Sequence, residues 1–137
     1  MRSFFDTNVL LYLFDNSEPE KKARAQEIFD REVEADRVVL STQVLQEFYV
    51  SVTRKLASPL TPEVAEERVR DFSRLPLARV DAPLILSAIS RSQRMMLSFW
   101  DALIVEAALS AGASRLLTED LQHGQEIEGL HVENPFL

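Results

Sequence analysis

The sequence predicts an α/β fold in three layers, in which helices cover both faces of a central parallel sheet of four to five strands. Two observations lead to this class. Short apolar and β-branched runs alternate along the chain with longer segments of helical periodicity, and helical segments outnumber strand residues. Strands that are separated by helices pair in parallel through right-handed crossovers, so their carboxyl ends share one edge of the sheet.

The predicted strands are short runs in which apolar residues dominate. The run from Arg37 to Leu40 is compact and β-branched, because it contains two adjacent valines. The strands are predicted at residues 3–6, 37–40, 78–81 and 115–118, with a fifth candidate at 130–133.

Capping and helix-breaking residues set the predicted helix ends. Pro19 and Pro62 occupy first helical positions, where the N–H that proline lacks is not needed. Thr61 is the expected N-cap before Pro62, and Gly112 ends the last helix. The helices are predicted at 8–14, 19–35, 83–93 and 98–111, with one from Ser41 or Thr42 to about 56 and another that begins at Thr61.

Length and composition indicate one domain, residues 1–137, with a buried core. Hydrophobic residues make up 46% and charged residues 27% of the chain, as is usual for a soluble globular protein. No apolar run approaches the roughly 18 residues that span a membrane, and the amino terminus does not resemble a secretory signal. Since the chain has no cysteine, disulfides and thiolate metal sites are excluded, and we expect a cytoplasmic protein.

The net charge of −7 has the wrong sign for a protein that holds nucleic acid by bulk electrostatics. A polyphosphate substrate would therefore need a bound metal and a local basic patch. The chain also lacks a glycine-rich phosphate loop and a Gly-x-Ser-x-Gly elbow, which excludes the usual motifs of nucleotide binding and serine hydrolysis.

Four acidic residues lie far apart in the chain, yet each is predicted near a strand end or in the early part of a helix. In parallel sheets, ligands bind beyond the carboxyl ends of the strands. Carboxylates that converge there repel one another, and a hard divalent cation such as Mg²⁺ or Mn²⁺ is the usual means of neutralising them. These acids, which we predict to act on phosphate esters, are Asp6, Glu47, Asp101 and Asp120.

A structural role is the alternative for each of these acids. Asp6 is also a good N-cap, and Asp101 fits a capping box that begins at Ser98. Glu47 lies beside an apolar helical stripe and could pair in solvent with Arg54. Capping remains compatible with metal binding, because a carboxylate has a second oxygen.

Four segments resemble, in order, the motifs of the PIN-domain family, in particular the VapC-type toxin ribonucleases of toxin–antitoxin systems. They are FDTNVL at residues 5–10, QEF at 46–48, FWDALI at 99–104 and LTEDLQHG at 117–124. The closing NPF at 134–136 resembles one subgroup of the family. Each motif alone is common, whereas four in register are specific, and together they span almost the whole chain.

The resemblance implies that Asp6, Glu47, Asp101 and Asp120 hold Mg²⁺ or Mn²⁺, with Asn8 and Thr118 as supporting polar residues. The implied activity is that of a metal-dependent endoribonuclease, the toxin of a type II toxin–antitoxin pair, in which Asp101 or Asp120 orients the attacking water. One-metal and two-metal arrangements both fit this set. The alternative is a PIN-fold binding or scaffold module that does no chemistry.

The resemblance also implies two protein partners, a small antitoxin and a second copy of the chain. An arginine of the antitoxin would pair with the acidic cluster. The apolar residues Phe14, Phe29, Val50 and Val52 are candidates for the homodimer contact, because they exceed what the helical stripes of a lone domain require.

A basic rim around the acidic site is predicted to hold the RNA. Its candidates follow Glu47 or precede Asp101 in the sequence and are Arg54, Lys55, Arg91 and Arg94. Whether Glu106 or Glu119 assists the site is left open by the sequence. The two histidines, His123 and His131, lack metal-ligand spacing and are interpreted as ordinary structural or surface residues.

Overall fold

The computed structural model describes residues 1–137 and contains a mixed six-stranded sheet in the order β3-β2-β1-β4-β6-β5. Five strands are parallel to their neighbours, and only β5 runs antiparallel, beside β6. The α/β class predicted from the sequence is confirmed. The strands are β1 (Arg2–Phe5), β2 (Val38–Ser41), β3 (Leu77–Ala78), β4 (Ala113–Leu117), β5 (Glu126–Ile127) and β6 (Leu130–Glu133).

Six helices connect the strands, and their ends lie close to the predicted ones. Ser41, Thr61 and Ser98 each cap a helix by accepting a hydrogen bond from a backbone N–H three residues later. The helices are α1 (Thr7–Tyr12), α2 (Pro19–Glu34), α3 (Thr42–Arg54), α4 (Pro62–Phe72), α5 (Ala82–Met95) and α6 (Phe99–Ser110). None of them is both long and apolar enough to cross a bilayer.

Both faces of the sheet are covered. Phe4 and Phe5 point to opposite faces of β1, and both side chains are fully buried. Phe5 packs edge-to-face on Phe29 of α2, with ring centroids 5.4 Å apart. Helix α6 is apolar on nearly all sides because it lies between the sheet and α5.

The sheet has one strand more than the four to five predicted. Strand β5 has only two residues, too few to show a period in the sequence. It pairs with β6 through a two-residue turn in which Glu128 and Gly129 have φ angles of 50° and 90°. Positive φ at both central residues is the conformation that joins antiparallel strands tightly.

Strands β1 and β4 are neighbours in register, and this pairing places the site. Phe5 pairs with Leu117, so the residues that follow, Asp6 and Thr118, leave the same edge of the sheet side by side. The Asp6 N–H continues the ladder by donating to the Leu117 carbonyl oxygen at 3.0 Å. Two acidic motifs that lie more than 110 residues apart in the chain are thereby brought together.

Candidate active site

A pocket of about 530 Å³ opens at the carboxyl edge of the sheet, and all four predicted acids line it. Asp6 precedes α1, Glu47 lies in α3, Asp101 lies in the first turn of α6, and Asp120 follows β4. The sequence-predicted set is therefore brought to one place by four different elements of the fold.

Asp6 is both the N-cap of α1 and the most buried acid of the pocket, with 5% of its surface exposed. One carboxylate oxygen accepts from the Thr7 N–H at 2.7 Å, and the other accepts from the Thr118 hydroxyl at 2.8 Å. Burial raises the pKa of Asp6 to about 7, and the charges of Asp120 and Glu47 add to the rise against these two hydrogen bonds. Burial thus places the ionisation of Asp6 near neutral pH, although the residue also caps α1.

Glu47 is half-buried and held by neutral donors rather than by a basic residue. The Thr7 hydroxyl donates to its Oε1 at 2.7 Å, and the Gln43 side-chain amide donates to its Oε2 at 3.2 Å. Arg54 forms no ion pair with it, so the pairing considered from the sequence does not occur. Gln43 precedes Glu47 by one helical turn, which is the signal that identifies it as a supporting residue.

Asp101 lies at the start of α6, where Ser98 accepts its backbone N–H at 3.0 Å. The predicted cap is therefore present, and the half-buried carboxylate still lines the pocket. Burial raises the pKa of Asp101, as do the charges of Asp120 and Glu47, while a hydrogen bond with Ser98 acts in the opposite direction. The negative charges of two other acids of the set therefore act on the Asp101 carboxylate.

Asp120 is held by the two predicted supporting residues. The Asn8 amide donates to its Oδ2 at 2.8 Å, and its own N–H donates to the Thr118 hydroxyl oxygen at 3.1 Å. Thr118 is fully buried, and its hydroxyl also lies 3.4 Å from the Asn8 amide nitrogen. Asn8 and Thr118 therefore connect the two strand-end acids, Asp6 and Asp120.

None of the four pocket acids forms an ion pair with a basic side chain. The contrast is Glu32, a buried acid elsewhere in the chain, which has Arg37 and Arg115 within 3.0 Å. The pocket therefore holds several carboxylates with no positive charge paired to them. A hard divalent cation, which prefers oxygen ligands, would supply that charge.

The side chains do not form a closed metal cage, because no three carboxylates are close enough together to surround one ion. This openness is compatible with Mg²⁺, which commonly takes one or two protein carboxylates and keeps several waters. Two further oxygens, Asn8 Oδ1 and Gln43 Oε1, are buried without a hydrogen-bond partner. The donor set therefore fits a divalent cation that is partly hydrated.

The two acids whose part in the site the sequence left open, Glu119 and Glu106, contact residues outside the pocket. Glu119 accepts from the Tyr12 hydroxyl at 2.7 Å and pairs with Lys21 at 3.1 Å. Glu106 pairs with Arg91 at 2.5 Å. Neither lines the pocket, so both belong to the structure around it rather than to the acidic set.

The predicted basic rim is only partly at the pocket. Lys55 lines it, whereas Arg54 and Arg94 are exposed outside it. Arg91 is 4% exposed and pairs with Glu106 and Glu128, so its assignment to an RNA-binding rim is corrected. The reason is that α5 packs on α6, which turns Arg91 towards Glu106 of α6 rather than towards the pocket.

The histidines have structural contacts, as interpreted from the sequence. His123 accepts the Asn134 N–H at 3.0 Å, and His131 lies 2.8 Å from Glu126 in the adjacent strand. Sequence reasoning missed Trp100, which lines the pocket beside Asp101. Its exposure could not be read from a helix that is otherwise apolar on all sides.

The fold and the site define an α/β protein whose acidic pocket lies beyond two adjacent parallel strands. The model of the PIN domain family matches residues 3–125, and the chain belongs to this family. The family resemblance seen in the four sequence motifs is thereby confirmed. No curated protein matches the chain.

Several solved structures share the fold with low sequence identity. A toxin–antitoxin complex from Klebsiella pneumoniae has a TM-score of 0.69 at 21% identity, with 97% of each chain covered. DNA-bound VapBC from Salmonella typhimurium has a TM-score of 0.67 at 22% identity over 98% of each chain. The VapC20 toxin of Mycobacterium tuberculosis, described as cleaving the sarcin–ricin loop, has a TM-score of 0.65 at 22% identity, covering 83% of this chain and 86% of that one.

Proposed function

We propose that the protein is a divalent-metal-dependent endoribonuclease and the toxin of a VapBC-type toxin–antitoxin pair, acting on RNA in the cytoplasm. The observation that carries the proposal is the set of four gathered carboxylates without a basic partner, in a chain of the PIN family. PIN-domain nucleases generally use divalent metal ions. A non-catalytic module is disfavoured, because it would be free to lose carboxylates that are costly to desolvate.

In this proposal Asp6, Glu47, Asp101 and Asp120 hold Mg²⁺ or Mn²⁺. When bound, the cation polarises the scissile phosphate and makes a bound water more acidic. Asp101 or Asp120, both at the pocket wall, orients the attacking water.

The remaining polar residues keep the acids in place during the reaction. Thr118 and Asn8 orient Asp6 and Asp120, and Thr7 and Gln43 orient Glu47. Such outer contacts fix the direction of the ligand oxygens.

The test is RNA cleavage by the wild type and by Asp6→Asn and Asp101→Asn, with calorimetric titration of Mn²⁺ into each. Both variants keep the side-chain shape and remove one charge, so Mn²⁺ affinity and turnover should fall together while the fold is retained. Glu106→Gln is the matched control, since Glu106 pairs with Arg91 away from the pocket. Full cleavage in excess EDTA would contradict the proposal.

A small antitoxin is the proposed protein partner, since the solved relatives include toxin–antitoxin complexes. An arginine of that partner fits the unpaired carboxylates, because a guanidinium binds a carboxylate through two hydrogen bonds. If a short reading frame lies immediately upstream, co-expression with its product should yield a complex in which Mn²⁺ binding is weakened. Unchanged Mn²⁺ affinity in the complex would exclude an arginine in the pocket.

A homodimer is also proposed, although three of the four residues that suggested it make their contacts within the protomer. Val52 is fully buried, and Phe14 and Phe29 pack on Phe48 and Phe72 in the core. The exposed apolar residues of α5, namely Ile85, Leu86 and Ile89, lie on one face at helical spacing and are the better candidates. Light scattering of Leu86→Glu should show a monomer, whereas Val64→Glu, at an isolated exposed valine on α4, should leave the dimer intact.

A further inference from the structure

We propose that Trp100 is the stacking platform for an unpaired base of the substrate RNA, next to the phosphate that is cut. The inference rests on the proposed ribonuclease function and adds a specificity-determining residue to it. It begins from an exposed indole, because 61% of Trp100 is accessible although α6 is otherwise among the most buried helices.

The position of Trp100 places it within reach of any substrate in the pocket. It lines the pocket immediately before Asp101, and Leu11, Val50 and Ile104 supply the other apolar parts of the lining. A nucleobase offers a flat apolar face to such a surface, and its attached phosphate is anionic. The apolar part of the lining can receive the base, and Lys55, the only basic residue of the lining, can contact the phosphate.

The indole ring contacts one neighbouring aromatic ring, and the backbone of the same residue is anchored to the acidic site. Its ring meets Phe99 edge-to-face, with centroids 5.1 Å apart and an interplanar angle of 76°. Its backbone carbonyl accepts the Gln43 amide at 3.3 Å, and the same amide donates to Glu47 at 3.2 Å. Gln43 thus links the backbone of Trp100 to an acid of the site, which sets where α6 presents the indole relative to that acid.

The occupant that fits is a base without a pairing partner. In a duplex both faces of a base are already stacked, whereas bases of loops and single strands are free to stack on aromatic side chains. Stacking on an aromatic side chain needs no particular base, because every base has a π-face. Trp100 therefore selects for unpaired structure, and base identity would be selected by other groups.

The chain contains a single tryptophan, so fluorescence excited at wavelengths that tyrosine does not absorb reports on Trp100 alone. The probes are a fluorescein-labelled single-stranded RNA 12-mer and the same strand in a duplex, added to the Asp6→Asn protein with Mg²⁺ so that the RNA stays intact. Anisotropy of the label measures binding, and quenching of the indole measures stacking. We expect the single strand to quench the indole in proportion to its binding, and the duplex to quench much less.

Steady-state cleavage by the otherwise wild-type protein provides the second readout. Trp100→Leu keeps an apolar side chain without a π-face and should raise KM for the single strand roughly tenfold, with kcat nearly unchanged. Trp100→Phe should stay close to wild type. Tyr49→Leu is the matched control, because Tyr49 is a 39% exposed aromatic residue on α3 that does not line the pocket.

Three outcomes would overturn the proposal. The first is RNA bound by anisotropy without quenching, which leaves the nuclease function in place and removes Trp100 from it. The second is an unchanged KM in Trp100→Leu together with weaker antitoxin binding, which assigns the indole to protein docking. The third is the absence of both RNA binding and cleavage in wild type, with which the proposed function fails as well.

Discussion

The hydroxyl group of Thr118 donates to Asp6 at 2.8 Å and accepts the backbone N–H of Asp120 at 3.1 Å. A single buried oxygen therefore connects acids from the ends of two neighbouring strands. It also favours the ionisation of Asp6, because a hydrogen bond to the carboxylate stabilises the charged form and lowers its pKa against the effect of burial.

Replacing Thr118 with valine removes this hydrogen bond without changing the size of the side chain much. The pKa of Asp6 should then rise further above about 7, so that less of the carboxylate is ionised at neutral pH. We expect RNA cleavage at pH 7 to fall roughly 10–100-fold, as for other residues that orient metal ligands. The acid limb of the pH–rate profile should move to higher pH. Thr118→Ser keeps the hydroxyl and should keep the profile, and an unmoved limb in Thr118→Val would contradict the role given to it.

The stability of the metal-free protein should depend on pH through Asp6. The folded pKa, about 7, lies above the ordinary value of 3.8, so the folded state binds more protons than the unfolded state between these values. Stability should therefore fall as pH rises from about 4 to about 7, by at most about 4 kcal/mol from this group. Urea unfolding in EDTA at pH 5 and pH 8 measures the slope, and Asp6→Asn should reduce it. Equal slopes in the two proteins would show that Asp6 does not titrate as described.

Lys55 and Arg54 are adjacent in the sequence, but only Lys55 lines the pocket. Lys55→Gln should weaken RNA binding at low salt and reduce the slope of log K against log salt by about 0.7, the value for one contact to a single strand. Arg54→Gln should change both quantities less, although it removes the same charge. Anisotropy titrations between 50 and 300 mM salt, on the order of the range where such contacts are screened, make the comparison. A larger effect at Arg54 would place the RNA on the outer side of α3.

Glu119 and Asp120 form a second adjacent pair with different expected roles. Glu119 is held by Tyr12 and Lys21, whereas Asp120 lines the pocket. Glu119→Gln should preserve Mn²⁺ affinity and most of the cleavage rate, while Asp120→Asn should lower cleavage roughly 100-fold or more. Calorimetry with Mn²⁺ and cleavage rates for both variants decide the matter. Loss of Mn²⁺ affinity in Glu119→Gln would make Glu119 a ligand after all.

Glu32 should be a major contributor to stability, although it is remote from the pocket. It is 2% exposed and accepts hydrogen bonds from Ser3 at 2.5 Å, Arg115 at 2.6 Å and Arg37 at 3.0 Å. Glu32→Gln leaves Arg37 without its counter-charge and Arg115 with Glu133 alone, and it should cost about 2–3 kcal/mol. This is less than for a fully buried pair, because the arginines reach solvent. Glu34→Gln, at an exposed position of the same helix, is the control.

The same glutamate should contribute to acid unfolding. Burial acts to raise the pKa of Glu32, but the hydrogen bonds from Ser3 and Arg115 and the charges of Arg115 and Arg37 outweigh it, so that the pKa lies below 4.5. The stability it provides is complete above pH 4.5 and is lost as pH falls through the lowered pKa. Acid titrations followed by circular dichroism should show Glu32→Gln with a shallower loss than wild type, and identical curves would contradict this account.

Several parts of the fold and the site could be predicted because each depends on local sequence. Asp6 and Asp120 follow apolar runs, and parallel pairing then brings strand ends together without further information. The caps Ser41, Thr61 and Ser98 were identifiable because hydroxyl residues stand directly before helical runs.

The parts that could not be predicted depend on contacts between distant segments. Arg91 has the composition of a surface residue, and only the packing of α5 on α6 buries it against Glu106. The helical stripes of the sequence do not account for Phe14 and Phe29, because the aromatic cluster that they join is assembled from four elements. Trp100 is likewise exposed because no other element of the fold packs over it, and a local sequence pattern does not predict this.

The two outermost strands of the sheet, β3 and β5, contain two residues each. A strand of that length presents very few free backbone N–H and C=O groups along which another chain could align. Growth of the sheet from molecule to molecule is thus disfavoured on both sides. A rising concentration should therefore not produce fibres in which the sheet continues from one copy of the protein to the next.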